Sequence, residues 1–112
     1  MLVLDANILI RAVLGLRVRT LLASYGTVVF FAPDTAYEEA RKHLPEILTK
    51  RGVAPQAALA LLDSLAEVIQ PVQRDTYESF EHAARMRLAS RDLDDWPVLA
   101  TALALGCPIW SG

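Results

Sequence analysis

Leu2-Val3-Leu4-Asp5-Ala6-Asn7-Ile8-Leu9 is the stretch that decides how the chain folds. Leu2, Val3 and Leu4 are continuously apolar, which predicts a short strand buried on both faces of a parallel sheet. Ile8, Leu9 and Ile10 open a second apolar segment, so Asp5 stands between two elements bound for a core. An acid so placed belongs where those elements open to solvent, at the carboxyl end of the strand, and functional sites of open α/β sheets gather there. A single Asp in this position is also an ordinary helix N-cap, so its company elsewhere in the chain decides its role.

Working outward, Ile8, Leu9, Ala12 and Val13 form one helical stripe that predicts a helix from Asn7 to Leu14, ended by Gly15. A second short helix is expected from Leu16 to Ser24, with Leu16, Val18, Leu21 and Leu22 inward and Arg17 and Arg19 outward. Thr27 to Ala32 is rich in β-branched and aromatic residues and reads as a strand. Pro33 and Asp34 then start a helix to about Lys50, in which Pro45 is expected to cause a kink or split. A helix from Pro55 to Leu65 follows, then a strand from Glu67 to Val72 whose buried part is expected at Val68 and Ile69. Asp75 to Ser90 is expected to form one long amphipathic helix, with Tyr77, Phe80, Ala84, Met86 and Leu88 on its apolar side. Trp96 to Leu105 is the last helix, capped by Gly106, and Cys107 to Trp110 the last strand.

Strands alternating with helices predict an α/β three-layer sandwich around a central, mostly parallel sheet of four to five strands. The 112 residues suit a single domain, 1–112, and a hydrophobic fraction of 54% excludes disorder. No apolar run reaches membrane-spanning length and no basic segment precedes the first one, so a soluble cytoplasmic protein is expected. The lone Cys107 forbids an internal disulfide and is expected to be a small buried hydrophobe. A net charge of −2 does not favour nucleic-acid binding by charge alone, although acids gathered on a metal would leave the remaining surface nearly neutral.

The acids expected near the carboxyl edge of the sheet are Asp5, Glu38, Glu39, Asp92, Asp94 and Asp95. Taken singly, each has a structural explanation as a cap, a first-turn acid or a solvated side chain. Together they repel one another, and a hard divalent cation removes that repulsion. Magnesium suits oxygen donors and keeps several waters, whereas the ligands typical of zinc sites are lacking. His43 and His82 lie on charged helices without a placed nucleophile. An aspartyl nucleophile for phosphoryl transfer is a third reading of Asp5, but the second Asp or the late lysine it would need is absent.

The chain resembles the PIN-domain family of ribonucleases, which includes the toxins of many toxin-antitoxin pairs. The resemblance rests on the opening motif Leu2 to Leu9, on Asp95-Trp96-Pro97-Val98-Leu99-Ala100-Thr101-Ala102, and on Gly106-Cys107-Pro108-Ile109-Trp110. It implies a metal-dependent endoribonuclease using Mg2+ or Mn2+, with Asp5, Glu39 and Asp95 as catalytic metal ligands and Asp92 as an additional one. Glu39, followed by Ala40, matches the second acid of the family better than Glu38. Asn7 takes the place of an Asn that supports the site, and Ser111 that of a Ser or Thr after the last strand. Relatives continue beyond it into a further acid that this sequence, ending at Gly112, does not reach, which makes the domain short at its C-terminus. The resemblance further implies an RNA substrate, an antitoxin protein as partner and a homodimer. The alternative is a catalytically impaired PIN-like binding module. Arg17, Arg19 and Arg85 are the cations considered for phosphate contact.

Overall fold

The computed structural model describes residues 1–88 and 93–111. Strands β1 (Leu2–Leu4), β2 (Phe30–Pro33), β3 (Ile69–Val72) and β4 (Ile109–Trp110) form one parallel sheet in the order β3-β2-β1-β4. Leu2 faces Phe30 across β1 and β2, and Val3 faces Ile109 across β1 and β4. The first two crossovers step in one direction, and the third returns past β1, so the order reverses between β1 and β4. Such a reversal opens a crevice at the carboxyl ends of the two strands. The three-layer α/β architecture expected from the alternation is the one observed, with four strands among the described residues.

Helices α1 (Ala6–Leu14), α2 (Leu16–Ser24), α3 (Asp34–Lys50) and α4 (Gln56–Leu65) cover one face. Their core joins Ile8, Leu9, Ala12, Ala40, Leu44 and Leu62 to Leu4, Phe30 and Ile69 of the sheet. Each fully buried Leu or Ile there contributes roughly 1.5–3 kcal/mol of transfer free energy. The other face carries α5 (Arg74–Tyr77), α6 (Glu81–Leu88) and α7 (Trp96–Leu105), packed around Tyr77, Ala84, Trp96 and Ala100 with Phe31 and Val72 of the sheet. Among the described residues, no helix is long and apolar enough to cross a membrane.

Helix α3 runs unbroken through Pro45. An interior proline removes one hydrogen bond and costs about 3 kcal/mol, which the buried Ala40, Leu44 and Leu48 on either side of it offset. On α2, Leu16 and Leu21 turn outward rather than inward, and Leu22 alone is buried. Strand β2 starts at Phe30 rather than Thr27, because Val28 donates its backbone N–H to the Tyr25 carbonyl in a turn. Strand β3 is likewise shorter than expected; Val68 is half exposed and only Ile69 of that pair is buried. The last strand is reduced to Ile109–Trp110, since Cys107 donates back to Ala102 behind the left-handed Gly106 (φ 65) that ends α7. Cys107 is half-buried, and burial pushes its thiol up, away from the reactive thiolate.

The largest departure lies between Arg74 and Leu88, where the expected single helix is α5, a 3-10 turn at Glu78–Phe80, and α6. Tyr77 is fully buried and Ala84 with it, but Phe80 and Met86 face solvent. The break lets Tyr77 reach inward, where its hydroxyl donates to Asp34 Oδ1 at the head of α3 and its ring meets Trp96 edge-on at 5.6 Å. Burial and the Asp34 carboxylate together push the Tyr77 phenol far above its ordinary range, so it stays a donor at any working pH. Tyr77→Phe is expected to lower stability by about 1.5–3 kcal/mol, the loss of a hydrogen bond to a charged group, measured by urea unfolding. An unchanged midpoint would show that the bond between the two helical layers is not stabilising.

Candidate functional site

Asp5 follows β1 and caps α1: its Oδ1 accepts from the Ile8 backbone N–H at 3.0 Å, with the extended backbone of an N-cap (φ −88, ψ 176). The cap fixes the carboxylate at the crevice and leaves the second oxygen available to a ligand. Capping and a site role are therefore compatible. Glu39 projects from the second turn of α3, whose first turn is set by the end of β2, and His43 lies one turn on with Nε2 3.9 Å from it. Asp95 directly precedes α7 but makes no side-chain capping bond to it, so helix capping does not account for this acid. Its position is held by Trp96 and Pro97, which are buried immediately after it.

These elements bring Asp5, Glu39 and Asp95 to the wall of one small cleft of about 70 Å³, together with Asn7 and Val98. Glu38 and Asp94 lie outside that cleft, in a flanking groove lined also by Thr35, Lys42, His43, Glu39 and Asp95. A further cavity of about 270 Å³ joins Asp5 and Asp95 to Arg87, Leu99, Ile109 and Ser111. Asp92 lies outside the described residues. Two acids that are far apart in sequence, near the first and last strands, thus meet because β1 and β4 are neighbours.

The cleft offers carboxylates and an amide, all hard oxygen donors, and neither His nor Cys lines it. That donor chemistry fits a hard divalent ion that keeps part of its water shell. No three His, Cys, Asp or Glu side chains among the described residues are grouped closely enough to hold one ion directly. The carboxylates line one space without converging on one point.

The arginines divide differently from the sequence reading. Arg85 is engaged, bonded to Glu81 at 2.7 Å and stacked 5.5 Å from the Trp96 ring, and Arg74 lies 5.3 Å from the same ring. Arg17 and Arg19 belong to α2 and do not line the carboxylate cleft. Arg87, which sequence reasoning passed over, is the cation beside Asp5 and Asp95. The signal was available: Glu81 sits one turn before Arg85 and claims it, while Arg87 projects from another side of α6.

The family model described as PIN domain matches residues 3–112. The chain belongs to the PIN-domain family. A PIN domain is a nuclease-type fold, typically served by divalent metal, and here the match reaches all four strands and covers the whole wall of the cleft. No curated protein matches this PIN domain.

Proposed function

We propose that this PIN domain is a metal-dependent endoribonuclease, with Asp5, Glu39 and Asp95 as the protein ligands of Mg2+ or Mn2+ and Asp92 as a further one. The observation that carries the reading is the shared cleft of Asp5, Glu39 and Asp95 at the reversal of strand order. When bound, a hard divalent ion supplies polarisation of a phosphoryl oxygen and a bound water of lowered pKa. Asp5 contributes a carboxylate whose direction is locked by its own cap. Glu39 and Asp95 supply the facing charges, and Asn7 a neutral amide beside them. Arg87, on the cavity it shares with Asp5 and Asp95, stands where it can take a phosphate oxygen of the substrate.

RNA is the proposed substrate, and a toxin role the proposed setting, with an antitoxin protein and a second copy of the chain as partners. Phe80, just before α6, and Met86, on it, are apolar yet exposed and support an interacting surface. The alternative of a catalytically impaired binding module draws on the carboxylates' failure to group around one point. Metal removal separates the two. Cleavage of single-stranded RNA is expected with Mg2+, to stop on chelation, and to return with Mg2+ or Mn2+. Cleavage that survives chelation overturns the metal-dependent reading, and none under any metal favours the binding module.

A further inference from the structure

A second groove, of about 350 Å³, is lined by Arg11, Leu14, Gly15, Arg17, Val18 and Arg51, and among the described residues no acid lines it. The three arginines come from three elements: Arg11 from α1, Arg17 from α2 and Arg51 from the end of α3. Arg11 and Arg51 stand at helix C-termini, where a cation is favoured by the dipole. Arg17 does not: it lies in the first turn of α2, a helix end that carries no acidic residue and no side-chain cap. There it adds positive charge to a positive helix end. Arg17 and Arg51 form no ion pair with another described residue. The guanidinium groups of Arg17 and Arg51 on one groove repel each other, and an anion in the groove reverses that repulsion.

The groove is connected to the carboxylate cleft by one helix face. Asn7, Arg11 and Leu14 follow each other at i, i+4 and i+7 on α1, so they lie in one stripe. Asn7 lines the cleft, Arg11 and Leu14 line the groove, and both Asn7 and Arg11 are exposed. From Asp5 to Arg11 the rise along the helix is about 9 Å. A flexible polyanion held at the cleft and laid along this stripe brings another of its charges to the arginines.

Building on the nuclease reading above, we propose that the arginine groove is a second binding site for the phosphate backbone of single-stranded RNA, engaging nucleotides away from the one at the carboxylate cleft. The stripe leading from the cleft favours an RNA strand over an acidic protein segment as its occupant.

The test is binding and cleavage by an Arg17→Glu/Arg51→Glu variant, with Arg17→Lys/Arg51→Lys as the conservative partner and circular dichroism to establish folding. Without metal, so that RNA stays intact, the charge-reversed variant should bind a long single strand on the order of tenfold more weakly. The slope of log affinity against log salt should be shallower by about 1.4, two lost single-strand contacts at about 0.7 each. The lysine variant should keep most of both. With metal, the loss should fall on KM for the long strand, with kcat and dinucleotide cleavage unchanged. Equal affinity and salt slope in wild type and charge-reversed protein overturn the proposal, as does a variant that loses only an acidic protein partner. Absence of cleavage in every protein would sink the nuclease reading while the metal-free isotherms still decide the groove.

Discussion

Asp5→Asn is expected to abolish RNA cleavage while leaving the fold as stable as wild type. Withdrawing one carboxylate from a metal-supported phosphoryl transfer removes several kcal/mol of transition-state stabilisation, a loss of about a hundredfold or more in rate. Stability is spared because Asn caps a helix as well as Asp does, so the bond to the Ile8 N–H at 3.0 Å survives. Asp5→Ala removes both roles and should lower stability by about 1 kcal/mol besides. The pair of variants thus separates the cap from the chemistry. An Asn variant that cleaves RNA at the wild-type rate would remove Asp5 from the proposed site.

The second large effect belongs to Trp96. It is buried, meets the Tyr77 ring edge-on, and has the Arg74 and Arg85 guanidinium groups over its own ring. Trp96→Ala should lower unfolding free energy by about 3–5 kcal/mol, a large part of what a small domain has. Trp96→Phe keeps a ring in place and should lose less, which provides a folded protein if the alanine variant is too unstable. In that variant cleavage should weaken as well, because Asp95 is the preceding residue and its place depends on the anchored start of α7. A loss below about 1 kcal/mol on Trp96→Ala would show that this side of the sheet is not organised around the indole.

The sheet was legible because its strands are short apolar runs set between helical patterns, and the opening run ends on an acid. Gly106 was legible as a cap for the same kind of local reason, since α7 stops where a left-handed residue is needed. The stretch from Arg74 to Leu88 was not. Its apolar residues satisfy a helical period, but Tyr77 gains more from reaching Asp34 and Trp96 than from continuing one helix, and Phe80 and Met86 are left outside. That preference exists only once α3 and α7 are in place, so it is invisible to periodicity. The arginines are a different case: the local i,i+4 pairing of Glu81 with Arg85 was legible and would have set Arg85 aside in favour of Arg87. At the candidate site, a single sequence gives the order and type of the acids. The resemblance preferred Glu39 to Glu38, and the topology adds that Glu39 lines a cleft with Asp5 and Asp95 while Glu38 lines the groove beside it.

The return of the last crossover to the side of β1 has a consequence in time. Protein chains emerge from the ribosome N-terminus first and begin to fold as they emerge. Asp5 is made well before Asp95 and β4, which pairs with β1. Strands β1, β2 and β3, with α1 to α4, can assemble into a half-covered sheet while the rest is still being synthesised. The acidic cleft is different: its wall is incomplete until α7 has docked and β4 has paired with β1. A polypeptide released early would carry Asp5 and Glu39 without their third carboxylate. Any chemistry that needs all three is thereby withheld from the growing chain until α7 and β4 have been made and have docked.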